Sequence, residues 1–374
     1  MNAEAYMRRA IDLAEKGRGW TAPNPVVGAV IVKNGQIIGE GYHQTYGGLH
    51  AERNALASCR ESPAGADLYV TLEPCCHLGK TPPCTDALLE AGIGRVFIGT
   101  ADPNPLVSGR GVQILRKAGV SVQEGVLQEA CAEQNRIFFH YIRTGTPWVV
   151  LKYAMTLDGK IAAVTGKSRW ITGEAAREHV HRMRHELTGI MVGSGTVLTD
   201  NPSLDCRIAG LKNPVRIVCD TTLSVPPDAL VIQSAAAQRT ILATACTDTE
   251  RLKPYLAAGC EILPVIKDGA HLNLKQLMKA LGRQGIDSIL LEGGAKLHWA
   301  ALASGIADEV CAYIAPKLFG GADAKTPVGG AGVASPAEAF RLEKQTVTDI
   351  GGDLLIRGII ARNGKGETSC LPES

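Results

Sequence analysis

The chain has 374 residues, a length that suits two domains better than one. Its hydrophobic content of 45% and charged content of 20% are those of an ordinary globular protein. The net charge is only +2 and aromatic residues make up 5%, so the sequence lacks the basic stripe and stacking aromatics typical of nucleic-acid-binding proteins.

The cysteine content also excludes a class of protein. The eleven cysteines are odd in number and irregular in spacing, which does not fit a disulfide scaffold. The N-terminus lacks the apolar segment of a secretory signal, and no apolar run is long enough to cross a membrane. We therefore expect a cytoplasmic protein with neither a membrane nor a nucleic acid as partner. Small core residues are expected at Cys59, Cys131, Cys219, Cys246, Cys260 and Cys311.

The first half of the chain alternates helix and strand signals. An amphipathic helix is expected over residues 3–16, and Asn34-Gly35 is typical of a tight hairpin turn. Strands are predicted over 26–33, 36–42, 68–72 and 95–99, and helices over 50–59, 112–118 and 126–143. Such a series favours an α/β fold, with one sheet and helices on its faces.

Four residues of this half form a candidate metal centre. His50, Cys75 and Cys84 offer one imidazole and two thiolates, a set that binds zinc through three protein ligands and leaves the fourth position for water. Glu52 is then a free, catalytic carboxylate that carries protons from water to a ring nitrogen and on to ammonia. These residue types make up the signature of zinc-dependent base deaminases. Ordinary buried cysteines are the alternative interpretation.

Two details of the centre need an explanation. Eight residues separate the two predicted cysteine ligands, whereas the usual signature has two, and Cys76 is a competing ligand beside Cys75. Adjacent cysteines cannot both bind one tetrahedral ion without strain, and Cys75 follows a proline as the signature requires, so we assign Cys75. His50 and Glu52 would diverge within a regular helix, so we expect them at the first turn of one.

Residues 144–147, Thr-Gly-Thr-Pro, are the expected domain boundary because they end a helix and precede a new strand. We therefore divide the chain into a domain of residues 1–144 and a domain of residues 145–374, with a loose polar tail from about residue 363. In the second domain, strands are predicted over 148–154, 190–192, 215–219, 240–243, 289–291 and 310–314, and helices over 174–187 and 296–303.

Two glycine-containing turns follow strands of the second domain. One contains Gly193 and Gly195, and the other contains Gly293 and Gly294 directly before a helix. Glycine lets the backbone approach a pyrophosphate, and a helix N-terminus favours its negative charge. Neither turn matches the full dinucleotide-binding motif, so each fits a plain turn equally well.

Longer motifs resemble one bacterial family over nearly the whole chain. The motifs are Asn24-Pro25-x-Val27-Gly28, His50-Ala51-Glu52 and residues 74–84, followed in the second half by residues 152–159, 168–172, 193–202 and 292–294. Together they are similar to the bifunctional riboflavin-biosynthesis deaminase–reductases. The Cys-His-x-Gly-Lys-Thr-Pro-Pro segment from Cys76 separates that family from nucleoside and tRNA deaminases. The resemblance implies a three-layer α/β/α cytidine-deaminase-like domain followed by a dihydrofolate-reductase-like α/β domain.

The resemblance also implies two reactions on one small phosphorylated pyrimidine. The zinc domain would hydrolyse the ring amine of a diaminopyrimidinone ribosylamino phosphate, and the second domain would use NADPH to reduce its ribosyl group to ribityl. The implied substrate contacts in the deaminase are Asn24, His43, His77, Lys80 and Asn104. From the residues alone, Asn24 and Asn104 fit turns equally well.

In the reductase, the resemblance implies substrate contacts at Lys152, Ser168, Thr172, Arg184, Leu204, Arg207 and Glu292. It implies NADPH contacts at Ala154, Trp170, Thr196, Asp200, Thr222, Gly294, Ala295, Lys296, Leu297, His298, Trp299 and Ala300. By their chemistry the two arginines suit a phosphate, although a solvated surface is the alternative. The family often has an arginine soon after the strand that ends in Cys219-Asp220, where this chain has Thr-Thr-Leu-Ser. The group that holds the cofactor's 2′-phosphate therefore stays open.

Two other interpretations remain. One is a nucleic-acid or nucleoside deaminase with an appended domain, against which the near-neutral charge and the long cysteine spacing argue. The other is a reductase with a non-catalytic zinc module, against which Glu52 argues because a structural zinc site closes with four ligands. Homo-oligomer formation is left open, as is the proton donor of the reduction, for which Lys152 and Asp200 are candidates.

Overall fold

The computed structural model describes residues 2–77, 82–104 and 107–361, which form two large sheets that follow each other along the chain. The helices are α1 (Ala3–Glu15), α2 (Ala51–Ala57), α3 (Cys84–Glu90), α4 (Arg110–Lys117), α5 (Gln128–Gln134), α6 (Arg136–Thr144), α7 (Glu174–Glu186), α8 (Ser194–Asp200), α9 (Leu230–Gln233), α10 (Thr249–Ala257), α11 (Leu274–Arg283) and α12 (Ala295–Ala303).

The strands of the first sheet are β1 (Gly28–Lys33), β2 (Gln36–Tyr42), β3 (Asp67–Leu72), β4 (Arg95–Thr100) and β5 (Ser121–Glu124). Those of the second are β6 (Trp148–Thr156), β7 (Gly189–Gly193), β8 (Val215–Cys219), β9 (Thr240–Thr244), β10 (Glu261–Pro264), β13 (Ser288–Gly293), β14 (Glu309–Ala315), β15 (Leu342–Ile350) and β16 (Asp353–Ile360). A small hairpin consists of β11 (Lys267–Asp268) and β12 (His271–Leu272).

The first sheet has the order β2-β1-β3-β4-β5, with β1 antiparallel to both neighbours and β3, β4 and β5 parallel. Successive strand residues point to opposite faces, so each face needs its own cover. Met7 of α1 and Cys131 of α5 pack on one face against Val30. Ala55 of α2 and Leu88 of α3 belong to the core on the other face. This is the three-layer α/β/α arrangement that the family resemblance implied.

The second sheet has the order β10-β9-β8-β7-β13-β6-β14-β16-β15. Its strands are parallel from β10 to β14, and β16 and β15 complete it as an antiparallel hairpin. Met183 of α7 packs on one face against Tyr313, and Leu277 of α11 belongs to the core on the other face with Ile289. The carboxyl ends of the parallel strands meet at one edge, where α/β sheets form their ligand crevices.

The prediction of a single helix over residues 126–143 is wrong. Two helices, α5 and α6, flank Asn135, whose backbone leaves helical geometry at φ −107° and ψ 19°. The Asn135 side chain accepts a hydrogen bond from the Val26 N–H (3.0 Å) and donates one to the Val26 carbonyl (2.9 Å). The helix therefore breaks where it is tied to the segment that precedes the first strand.

The described cysteines form no disulfide bonds. Every cysteine among the described residues is a free thiol. Of those expected in the core, Cys131, Cys260 and Cys311 are buried, whereas Cys59, Cys219 and Cys246 are half-buried. No helix in the described part of the chain is both long and apolar enough to span a membrane.

A buried carboxylate joins the two halves of the chain. Glu309 on β14 is 2% exposed and accepts hydrogen bonds from Arg136 of α6 (2.9 Å), Trp148 Nε1 (3.2 Å) and Arg357 of β16 (2.6 Å). We call these four residues the Glu309 cluster. Ile137, also on α6, packs against the core beneath α7. Helix α6 therefore belongs to the first half in sequence but also covers the second sheet.

Candidate active sites

The structure brings His50, Cys75 and Cys84 together. His50 is the extended residue just before α2 and Cys84 is the first residue of α3, so the chain turns into a helix at both positions. His50 Nδ1 lies 3.4 Å from each of the two sulfur atoms. All three donor atoms lie within 4.8 Å of one another, and the Cys76 thiol is outside the cluster.

The donor set fits zinc. The Cys84 backbone N–H donates to the Cys75 sulfur (3.4 Å). A hydrogen bond from the Cys84 thiol lowers the pKa of Cys75 to about 4, against the opposing effect of burial and with further help from His50. The same contact raises the pKa of Cys84. One sulfur is thus held as a thiolate, the form that ligates a metal, and three protein donors leave a fourth tetrahedral position.

Glu52 lies in the first turn of α2 and is 3% exposed. Burial, with a smaller contribution from the neighbouring Cys75 thiolate, raises the pKa of Glu52 to about 7. A carboxyl group with a pKa near neutral is able to take up and release a proton at working pH. The first-turn placement predicted for His50 and Glu52 is therefore the one that the structure shows.

Asn24 and His43 meet beside this cluster. His43 is 2% exposed, its Nδ1 lies 3.0 Å from the Leu49 carbonyl, and its ring is 5.4 Å from that of His50. Because a carbonyl only accepts, we assign the ring proton to Nδ1, which leaves Nε2 to accept from the Asn24 amide at 3.4 Å. The two side chains thus form a fixed polar pair next to the predicted metal ligands.

The other implied deaminase contacts are less closely grouped. His77 is exposed, and the half-buried Asn104 donates its backbone N–H to Asp102 Oδ1 (2.8 Å), which is the turn geometry that the sequence left open. Burial raises the pKa of Asp102 to about 6. Lys80 lies outside the described residues.

Sequence reasoning missed Glu73, which precedes Pro74 and Cys75. Glu73 is 4% exposed and accepts backbone N–H groups of Gly109 (3.0 Å) and Gly111 (3.1 Å) at the start of α4. It anchors the end of β3, and with it the chain that leads into the metal ligands. An acidic residue at the end of a buried apolar strand is the only signal that the sequence contained.

The second site is built around an ion cluster at the carboxyl end of β13. Arg184 of α7 donates to both oxygens of Glu292 (2.7 and 3.0 Å), and the Lys152 ammonium lies 3.5 Å away. Burial acts to raise the pKa of Glu292, but the charges of Arg184 and Lys152 outweigh it and lower the pKa to about 2. Glu292 is therefore a fixed carboxylate inside the site.

The loop after α8 lies beside this cluster. Arg184 also donates to the Asp205 carbonyl (2.8 Å), and the exposed Arg207 bonds the Asp205 side chain (2.9 Å). Leu204 and Arg207 both have positive φ, at 56° and 60°. The loop thus presents the exposed Arg207 guanidinium next to Asp205, the residue whose carbonyl binds Arg184.

Residues 168–172 lie beside the start of α7. Trp170 is 60% exposed, and the Arg177 guanidinium lies 4.7 Å above its ring. Ser168 is half-buried and Thr172 is buried, and the Thr172 carbonyl accepts from Arg177 (2.8 Å). The segment is thus held against the start of α7.

The two glycine turns are neighbours, because β7 and β13 are adjacent parallel strands. Gly293 has a φ of 127°, which side chains rarely adopt. A Cβ atom at Gly294 would come 3.4 Å from Thr196 Oγ1, and one at Gly293 would come 3.9 Å from the ring of His298. His298 Nε2 is buried without a partner among the described residues. This narrow glycine cradle suits the pyrophosphate portion of a dinucleotide through its backbone, whereas His298 Nε2 is an acceptor because its Nδ1 donates to the Pro327 carbonyl (2.8 Å).

The remaining cofactor positions divide into two groups. Ala154 lies on β6, Asp200 is the last residue of α8 and Thr222 follows β8. By contrast, Trp299 packs against Phe340, with 6.1 Å between ring centres, and Ala300 packs into the core, so neither faces the glycine turns. Lys296 is exposed, and Leu297 contacts the Gly193 turn. Ala295 packs beside Gly329.

Family models match both halves of the chain. The zinc-binding region of cytidine and deoxycytidylate deaminases matches residues 1–100, and the RibD C-terminal domain matches residues 147–356. The chain is 53% identical to the riboflavin biosynthesis protein RibD of Actinobacillus pleuropneumoniae, over 95% of this chain and 94% of that one. It is 40% identical to RibD of Escherichia coli strain K12, over 95% and 99% of the two chains.

Solved structures agree with these matches. Acinetobacter baumannii RibD superimposes with a TM-score of 0.87 at 36% identity, covering 96% of this chain and 99% of that one. A Thermotoga maritima diaminohydroxyphosphoribosylaminopyrimidine deaminase and 5-amino-6-(5-phosphoribosylamino)uracil reductase superimposes with a TM-score of 0.84 at 39% identity, with the same coverage.

Proposed function

The chain belongs to the RibD family, and on that basis we propose how its residues carry out the two reactions. It is a bifunctional enzyme of riboflavin biosynthesis, a zinc-dependent deaminase and an NADPH-dependent reductase. Its substrate is the phosphorylated diaminopyrimidine that is first deaminated and then reduced in its sugar. We assign deamination to residues 1–144 and reduction to residues 145–374.

In the deaminase, His50, Cys75 and Cys84 would hold the zinc ion, which when bound would supply an activated water for hydrolysis of the ring amine. Glu52 would take one proton from the attacking water and deliver it to the ring nitrogen. It would then take the remaining proton of that water and deliver it to the departing amine, which leaves as ammonia. A pKa of about 7 serves both directions of this transfer. Asn24 and His43 orient the ring through their paired polar atoms.

In the reductase, NADPH supplies the hydride for C1′ of the sugar. Three of the five N–H groups of Arg184 bind Glu292 and the Asp205 carbonyl, so Arg184 positions Glu292. We assign the substrate phosphate to Arg207, whose guanidinium is exposed in the loop after α8. We assign the proton of the reduction to Lys152, whose ammonium is enclosed beside Glu292, in preference to the exposed Asp200.

We also propose that the protein is cytoplasmic, because its predicted zinc ligands include two thiols. A thiol pair that must stay reduced to bind zinc suits the cytoplasm, which keeps thiols free. The ligand cluster with Glu52 buried beside it is the observation that carries the whole proposal, because it pairs a metal site with a proton carrier.

A chromatographic assay of the purified protein with the diaminopyrimidine substrate tests the proposal. Without NADPH, ammonia should be released and a deaminated ribosyl product should accumulate. With NADPH, the ribityl product should appear and cofactor should be consumed in equal amount. Ammonia release from single-stranded DNA or RNA but not from the pyrimidine would overturn it.

A further inference from the structure

The turn that follows β8 has a rigid shape. Asp220 is 1% exposed, and its carboxylate accepts the Ser224 hydroxyl (2.9 Å) and the Val225 N–H (2.7 Å). Leu223 is buried with a left-handed φ of 60°. These contacts fold the turn inward at both ends and leave Thr222 exposed at its tip.

Arg251 lies against this tip. It belongs to the first turn of α10, and its Nη2 donates to the carbonyls of Thr222 (2.8 Å) and Leu223 (3.2 Å). Its guanidinium makes no ion pair with any carboxylate of the described residues, and its other two nitrogen atoms have no hydrogen-bond partner in that part of the chain. An exposed cation with two unpartnered nitrogen atoms among the described residues therefore stands beside a proposed cofactor contact.

Strand order places this cation at one end of the cofactor. We place the reacting nicotinamide at Ala154 on β6, the strand that also carries Lys152, and the pyrophosphate at the glycine cradle on β13 and β7. The Thr222 turn follows β8, the next strand outward. Three strand spacings, about 14 Å, separate β6 from β8. We infer that the adenosine half of the cofactor extends from the glycine cradle toward β8.

We propose that Arg251 binds the 2′-phosphate of NADPH and sets the preference for NADPH over NADH, an inference that rests on the proposed function. The tip of the turn carries neutral hydroxyls, and the buried Asp220 carboxylate beneath it would repel a phosphate. Arg251 offsets that charge and offers a planar pair of donors, the geometry that phosphates favour. This cation lies on α10, which follows β9, whereas the family often has an arginine in the loop after β8.

The test measures binding and not turnover. The dissociation constants of NADPH, NADH and adenosine 2′,5′-bisphosphate are determined by calorimetry for wild type, Arg251→Gln and Lys253→Gln. Lys253 is the matched control, since it lies on the same helix, is exposed and is ion-paired with Glu250 (2.7 Å). Arg251→Gln should weaken NADPH and the bisphosphate on the order of 10-fold and leave NADH unchanged. Lys253→Gln should change none of the three.

Each outcome separates one explanation from another. If Arg251→Gln weakens NADH as much as NADPH, Arg251 only supports the turn, and the inference is overturned. If wild type prefers NADPH and Arg251→Gln keeps that preference, the inference fails while the function stands. A wild type that binds neither cofactor contradicts the proposed function itself. Arg251→Lys should restore part of the NADPH affinity, because it keeps the charge but loses the fork.

Discussion

At the scale of single residues, the adjacent thiols of Cys75 and Cys76 differ sharply in surroundings. The Cys75 sulfur lies 3.4 Å from His50 Nδ1, whereas Cys76 stays outside the ligand cluster and burial raises its pKa. We predict that Cys75→Ser loses zinc and deaminase activity, and that Cys76→Ser keeps both. Metal content by mass spectrometry is the measurement. Zinc retained in Cys75→Ser but lost in Cys76→Ser would reverse the assignment.

Glu52 provides a second prediction at this scale. Glu52→Gln keeps the shape of the side chain but cannot carry a proton, so zinc should stay bound while deamination falls by at least about 100-fold. Reduction of a substrate that is already deaminated should be unchanged, which serves as the control. Ammonia release near the wild-type rate would show that another group moves the proton.

The ionisation of Glu292 makes the free energy of unfolding depend on pH. Its folded pKa of about 2 lies below its ordinary value of 4.5, so its stabilising contribution is complete above pH 4.5 and is lost as pH falls toward 2. Wild type should therefore lose about 2 kcal/mol of its stability advantage over Glu292→Gln between pH 6 and pH 3. Urea unfolding of both proteins across this range measures the difference. A constant difference would mean that Glu292 is not held ionised by Arg184 and Lys152.

The sequence predicted the chemically distinctive residues but not their supports. His50, Glu52 and the two ligand cysteines belong to a short motif whose chemistry is readable without a structure. Glu73 is not, because its partners Gly109 and Gly111 are far along the chain and offer only backbone N–H groups. A carboxylate that accepts backbone N–H groups does not require particular side chains at its partner positions. The sequence therefore contains no pattern that reveals the contact.

At the scale of helices and strands, the Glu309 cluster ties α6 to β14 and β16. Glu309→Gln should destabilise the protein by about 2 kcal/mol, less than the full cost of a broken buried ion pair because both arginines are partly exposed. Thermal unfolding measures the effect. Glu133→Gln is the control, since Glu133 also pairs with Arg136 but is 46% exposed, and it should cost less than about 1 kcal/mol. Equal effects would refute the role of Glu309.

Elements with strong periodic patterns were predictable, and those decided by distant contacts were not. The strands over β1, β2 and β6 carry apolar or β-branched runs that reveal them. The break between α5 and α6 depends on Asn135 meeting Val26, more than a hundred residues away in sequence. Strand β15 is exposed along nearly its whole length, so it lacks the apolar alternation that identifies a strand.

At the scale of the whole molecule, the two sheets have separate hydrophobic cores, and all three predicted metal ligands lie with the first. Removal of zinc by a chelator should abolish deamination and leave the reduction of deaminated substrate intact. Activity assays of the two steps before and after dialysis against the chelator measure this. Parallel loss of both activities, restored by added zinc, would mean that the metal also supports the second half.

The sharing of α6 has a consequence for exchanging halves between relatives. The helix is encoded with the deaminase, yet Arg136 and Ile137 complete the packing of the reductase sheet. Asn135, just before them, is bound to Val26 of the deaminase. A chimera joined at Gly145 therefore inherits α6 from one parent and the sheet that it covers from the other. Recombination is expected to yield folded hybrids chiefly between parents whose residues match where α6 contacts the second sheet.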